Sequence, residues 1–189
     1  MGEEQRIEAY LMGLGVDAEQ VKELLPMFRI VHYEAGQIIL RMGERTEYMC
    51  LILKGMVRGY YLDGEGNDIT KCFTLENDWC CFYNYVREES SSFYIEAIED
   101  LVVGQVSIAD MERCLERQPF LGEKMNEKIN KAFIQAEERN FALASQDAKQ
   151  RYKNFIETSP EICKRVKQEQ IATYLGITPS SLCRIKREL

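Results

Sequence analysis

The sequence predicts an α+β chain: an antiparallel β-roll near its start, one long helix, and a C-terminal helix–turn–helix. Three observations carry that expectation. Between residues 29 and 110, short β-rich runs recur between glycine-bearing turns. From Ile108 the apolar period turns helical. The last twenty residues, Gln170 to Leu189, read as two short helices around a sharp turn.

Residues 1–28 are expected to be helical, because Ile7, Leu11, Leu14, Val21, Leu24 and Leu25 share one buried face. Strands are expected at Ile30–Tyr33, Gln37–Leu40, Tyr48–Lys54, Met56–Leu62, Asp68–Leu75, Phe93–Ile98 and Leu101–Val106. The turns between them carry Gly36, Gly43, Gly55, Gly64 and Gly66, and Asp63–Asn67 reads as a hairpin tip. Strands so spaced indicate a roll or barrel-like sandwich.

Met111 to Leu115 is read as a short helix that stops before Pro119. A long helix then begins and runs to about Leu143, with Leu121, Met125, Ile129, Ala132, Ala136 and Leu143 in helical register. Phe133, Ile134 and Phe141 lie beside that stripe. Such a helix can serve two partners, its own roll and a second subunit, and a parallel two-fold dimer is expected. A hinge near Ala142–Asp147 leads to a further helix over residues 144–159. The expected domains are therefore 1–118 (roll with N-terminal helices, to which the resemblance given below assigns effector sensing), 119–143 (dimerisation helix) and 144–189 (helix–turn–helix).

In the tail, Ile171, Ala172 and Leu175 form an apolar stripe and Gly176 breaks the helix. Thr178 offers an N-cap oxygen, and Pro179 takes the first helical position, where its missing N–H has no consequence. Leu182 and Ile185 should face inward, leaving Thr178, Ser180, Ser181, Arg184 and Lys186 outward. Polar residues near the start of such a helix suit the DNA major groove, where Arg forks onto guanine. The plain alternative is a helical hairpin capping a core. Charge favours DNA. From Pro160 onward six Lys and Arg stand against three Glu, whereas the whole chain has 24 basic and 31 acidic residues. A basic tail on an acidic body supplies phosphate attraction where the turn sits.

Other classes are disfavoured. No apolar run approaches the roughly 20 residues of a membrane span. The acidic start MGEEQRIEAYLMG is unlike a signal peptide, so a cytoplasmic location is expected. Seven cysteines show no framework or C-x-x-C spacing and read as free, mostly buried thiols, with a redox role considered only for Cys80–Cys81. No nucleophile–His–acid set, phosphate loop or metal-spaced cluster appears, so no enzyme, metal or cofactor is expected. His32, the single histidine, sits in a strand run and reads as structural.

The order of roll, long helix and terminal helix–turn–helix resembles the Crp/Fnr family of bacterial transcription regulators over nearly the whole chain. The run AGQIILRMGERTEYMCLILKGMVRGYY is similar to that family's cyclic-nucleotide-binding-type roll, a double-stranded β-helix, with Gly36, Gly43, Gly55 and a Leu-x-x-Gly-x-Val-Arg pattern in place. Ile171, Gly176, Leu182, Arg184 and Ile185 match its helix–turn–helix, which is winged in the family. Here any wing would come from residues before Gln168. The resemblance implies a homodimer that relays a signal from the roll to two recognition helices on a palindromic promoter site, with RNA polymerase as a further partner.

The sequence departs from that family at the ligand. The phosphate-binding Arg-Ser pair falls on Ser91-Ser92, and the Gly-Glu pair that approaches the phosphate and the ribose falls on Cys81-Phe82. Losing a charge-assisted bond worth about 1.5–3 kcal/mol argues against cyclic nucleotide. Arg87 is the available substitute. An aromatic set stands in its place: Trp79, Phe82, Tyr83, Tyr85, Phe93 and Tyr94. Two readings stay open there. One is a filled core; the other is a pocket lined by Trp79, Cys81, Phe82, Tyr83, Arg87, Ser91 and Ser92 for an apolar or aromatic effector. At the recognition helix, Pro179-Ser180 replaces the family's Arg-Glu pair. A guanine contact is expected from Arg184, weaker base or phosphate contacts from Thr178, Ser180 and Ser181, and backbone contacts from Lys186 and Arg187. The alternative class is a regulatory protein whose tail contacts protein instead of DNA.

Overall fold

The computed structural model describes residues 1–81 and 89–189. Two N-terminal helices, α1 (Glu3–Gly13) and α2 (Ala18–Leu24), stand where one helical segment was expected. Gly15, at φ 96°, lies in the break, and Asp17 caps α2 by accepting from the Glu19 and Gln20 N–H groups. Eight strands follow in the described residues. They are β1 (Arg29–Tyr33), β2 (Ile38–Leu40), β3 (Tyr48–Lys54), β4 (Val57–Leu62), β5 (Asp68–Thr74), β6 (Trp79–Cys80), β7 (Tyr94–Ala97) and β8 (Leu101–Ser107). All seven expected strands form within two residues of their expected ends; β6 was not anticipated.

The strands make two four-stranded sheets, ordered β1-β8-β3-β6 and β2-β7-β4-β5. β8 pairs antiparallel with both β1 and β3, matching Val31 to Val103 and Cys50 to Gln105. Alternation along β3 divides two cores. Cys50 and Ile52 join Leu40, Val57, Phe93 and Ile95 between the sheets. Leu51 and Leu53 turn the other way, onto Ile7, Leu11, Val21 and Leu24 of the N-terminal helices. This double burial explains why β3 reads as a continuous apolar run. The β3–β4 turn needs Gly55: its φ is 92°, and a Cβ there would stand 2.8 Å from the Asp100 carbonyl oxygen.

The rest is helical: α3 (Ile108–Arg117), α4 (Pro119–Ser145), α5 (Ala148–Thr158), α6 (Pro160–Arg165), α7 (Gln168–Tyr174) and α8 (Pro179–Arg187). The break at Gln146–Asp147 falls in the expected hinge, and Asp147 caps α5 through the Gln150 N–H. α6 was not foreseen. Pro160 at its first turn closes α5 and opens α6. By compactness the chain has two units, residues 1–59 with 73–126, and residues 60–72 with 127–189. No strand forms among residues 127–189, so the β-hairpin tip at residues 60–72 is the β element of the second unit.

Candidate nucleic-acid interface

The helix–turn–helix assembles on a small core of its own. Phe155 of α5, Val166, Ile171, Ala172 and Leu175 of the α7 region, and Leu182 and Ile185 of α8 are buried. α7 ends as the sequence suggests. Gly176 takes φ 67°, and the Ile177 N–H reaches back to the Ala172 carbonyl at 3.0 Å. The Arg151 Nε donates to the Leu175 carbonyl at 2.9 Å, so α5 satisfies a carbonyl at the end of α7. The Phe155 and Tyr174 rings lie 5.2 Å apart.

The start of α8 is held by Thr178, whose Oγ1 accepts from the Ser181 N–H at 3.2 Å. Its hydroxyl also lies 2.9 Å from both the Ser180 and Ser181 hydroxyls. With Pro179 next, the helix begins where the sequence places it. Leu182 and Ile185 point inward, so Ser180, Arg184 and Arg187, spaced i, i+4, i+7, share the opposite face. All three are exposed, as are Thr178 and Lys186; Ser181 is half-buried. Lys186 Nζ donates to Gln168 Oε1 at 2.9 Å, linking α8 to α7. Among the described residues Arg184 makes no ion pair, so its guanidinium is available. The six residues expected to meet DNA therefore lie on one helix and its cap.

The long helix α4 has two characters. Leu121 and Met125 are buried in the first unit, as expected for a helix packed on the roll. Further along, Arg139 turns to its own unit, donating to the Tyr174 and Thr70 carbonyls at 2.9 and 3.2 Å. Its guanidinium sits 4.8 Å from the Tyr174 ring centre. Burial, partly offset by that cation, raises the Tyr174 phenol. Thr70 and Thr173 hydroxyls meet at 2.8 Å, tying β5 to α7. Away from these contacts, Phe133, Ile134 and Phe141 are 64, 53 and 66 % exposed. The expected stripe is thus narrower than drawn: Ala132 and Ala136 are exposed, Ile129 and Leu143 half-buried.

Of the expected effector set, the described residues Trp79 and Cys81 lie in different cores. Trp79 faces the N-terminal helices; its indole N–H donates to the Tyr10 hydroxyl at 2.8 Å, and its ring lies near Phe28. Cys81 lies in the other core, between the sheets. Ser91 is buried, and its hydroxyl donates to the Phe93 carbonyl at 2.7 Å; Ser92 is exposed. Phe82, Tyr83, Tyr85 and Arg87 lie outside the described residues. Cys81 has φ 62°, the backbone region that favours glycine, at the position that the resemblance assigns to a close-approach glycine. Among the described residues, the buried cation of the roll is Arg58, whose Nε stands 2.9 Å from Glu96 Oε1. Sequence reading missed that pair, since only the register of β4 and β7 brings it together. It also missed the meeting of Cys50 with Cys80 and Cys81. His32 Nε2, exposed, lies 3.3 Å from Glu3 Oε1.

Comparison with known proteins agrees with this architecture. Residues 30–118 match the cyclic nucleotide-binding domain family. The chain is 24 % identical over 180 residues to the nitrogen fixation regulation protein FixK of Bradyrhizobium diazoefficiens, covering 89 % of this chain and 75 % of that protein. Among solved structures it is similar to FixK2 of Bradyrhizobium japonicum, with TM-score 0.74 and 22 % identity over 86 % of this chain and 84 % of that one. It is also similar to a CooA mutant from Carboxydothermus hydrogenoformans, with TM-score 0.77 and 18 % identity over 95 % and 83 % of the two chains. Among the described residues, no helix is long and apolar enough to cross a membrane.

Proposed function

We propose that the chain is a transcription regulator of the Crp/Fnr type, a cytoplasmic homodimer that binds palindromic promoter DNA; the match of residues 30–118 to the cyclic nucleotide-binding domain family and the likeness to FixK support that reading. The observation that carries this is the outer face of α8. A capped helix with a buried Leu182–Ile185 seam presents Ser180, uncommitted Arg184 and Arg187 to solvent. Short hydroxyls beside a planar cation suit a base edge flanked by phosphates. The tail's excess of positive charge supplies the sequence-independent attraction.

The second subunit docks along α4. Phe133, Ile134 and Phe141 form an apolar face that no described residue covers, while Arg139 commits the other side to its own unit. A parallel pair of α4 helices buries that face and sets two copies of α8 toward the half-sites of one operator.

The roll senses something other than cyclic nucleotide, or serves as a scaffold. The position for a phosphate-binding Arg is Ser91, buried and bonded to a backbone carbonyl. Arg58, the buried cation, is already paired with Glu96. Calorimetry with cyclic AMP and cyclic GMP should show no saturable heat.

The direct test is a mobility shift at two salt concentrations on duplexes selected from a random pool. Enrichment of an inverted repeat, with affinity falling steeply as salt rises, is expected. An affinity for duplex DNA that is absent or indifferent to salt overturns the reading, and leaves a protein partner for the tail.

A further inference from the structure

Cys50 on β3 stands directly across from Cys80 on β6. Consecutive residues of a strand point to opposite faces, so Cys81 should turn away from both. It does not, because its backbone takes φ 62°, which a residue with a Cβ adopts only when its surroundings hold it there. The bend brings adjacent thiols to one side. The three Sγ atoms lie within 4.8 Å of one another, and the three cysteines are 1, 4 and 3 % exposed.

The surroundings of this cluster are apolar. Ile52, Val57, Phe93, Leu101 and Val103 belong to the same core. Tyr33 packs on it, and its phenol is pushed up to about 12, first by burial and then by the neighbouring thiols. Gln105 Nε2 donates to the Cys50 sulphur at 3.9 Å. Hydrogen bonds from Cys80 and Cys81 draw Cys50 down against its burial. Bonding to Cys50, then burial, pushes Cys80 and Cys81 well up. Ionising three thiols together in so apolar a place is disfavoured unless a cation joins them.

We propose that Cys50, Cys80 and Cys81 form a binding site for one trivalent thiophilic ion, taken up from its neutral hydroxide, arsenite or antimonite. Three considerations select that chemistry. A trivalent metalloid bound to three sulphurs is pyramidal and needs them close on one side of it, and these three thiols already lie within 4.8 Å of one another. Among the described residues no carboxylate, imidazole or further thiol joins the three, whereas structural zinc takes four ligands. Charge decides the rest. Three thiolates leave a net charge of minus two around a monovalent soft ion and minus one around a divalent one, and an unpaired buried charge is heavily penalised. A trivalent ion gives a neutral complex.

Uptake requires no oxidant. Each S–H bond gives way to a bond between sulphur and the metalloid, and each hydroxide leaves as water with the thiol proton. Three thiols and one trihydroxide thus yield one tris-thiolate and three waters, with no change in oxidation state.

The proposal is independent of DNA binding, and its test does not read it. Fully reduced protein is titrated with sodium arsenite and, separately, with zinc and with copper(I). Expected are one arsenic per chain, three sulphur neighbours by X-ray absorption at the arsenic edge, and loss of three titratable thiols. Replacement of a ligand should weaken binding beyond the roughly 10–100-fold typical of outer-shell changes, in Cys50→Ala and in Cys80→Ala alike. The Cys72→Ser/Cys183→Ser double variant should bind as the parent does. The sulphur count on the parent protein stands even where a core variant folds poorly. No arsenite uptake, two or fewer sulphur neighbours, unchanged binding by folded Cys50→Ala, or displacement of arsenite by equimolar zinc or copper(I) each overturns the site.

Discussion

At the scale of single residues, two arginines do opposite work. Arg184 is exposed and uncommitted on the outer face of α8. Replacing it by alanine should relax preference at one base position, by about 1–3 kcal/mol, in a footprint or selection experiment. Lys186→Ala should instead weaken all sequences alike and lower the slope of log affinity against log salt by about 0.9. Arg58 is buried, and with Glu96 it forms an ion pair inside the roll. Removing Glu96 takes an ion-pair partner from a buried guanidinium. Glu96→Ala should therefore lower stability by about 3–5 kcal/mol in urea unfolding. The roles of Thr178 and Gly176 were legible from residue type, because a cap oxygen and a positive φ are local demands. Arg58 was not. Its partner lies 38 residues away in sequence, and a strand arginine looks the same whether it faces water or a carboxylate.

At the scale of elements, periodicity was a good guide wherever one face met solvent. β7 falls within one residue of its expected limits because its burial alternates, Ile95 and Ala97 buried and Tyr94 and Glu96 half-buried. β6 has two residues, Trp79 and Cys80, too few to show any period; it exists because β3 offers it a partner. The helical segment expected over residues 1–28 divides in two, since the Gly13-Leu14-Gly15 segment ends the first helix and Asp17 opens the next. Such caps carry measurable weight. Asp147→Ala removes the oxygen that accepts the Gln150 N–H, and should cost about 1 kcal/mol in a thermal or urea melt of the intact chain. A neutral outcome would mean that the Gln146–Asp147 break is set by packing and owes nothing to its cap.

At the scale of the whole molecule, the apolar face of α4 is the feature that a single chain leaves without purpose. Bulky Phe133, Ile134 and Phe141 on an otherwise charged helix are a solubility liability unless a second copy covers them. A Phe133→Asp/Ile134→Asp variant should sediment as a monomer at micromolar concentration and lose affinity for a palindrome far more than for a single half-site. Retained dimers would place the subunit contact elsewhere. The thiol cluster and the Arg58–Glu96 pair sit within the first unit, α8 within the second. Both units contain part of α4.

What the residues alone determined was local and periodic: the glycine turns, the strand and helix repeats, the capped recognition helix, and the displacement of charge toward the tail. Each depends on neighbours within about a helical turn or one strand step, so the order of amino acids contains it. Tertiary structure decided which distant groups meet. It separated Trp79 from Cys81, paired Arg58 with Glu96, and brought Cys50 to the Cys80–Cys81 pair. Those meetings are set by sheet register and by one left-handed residue, and a shift of one position along a strand would send each side chain to the other face.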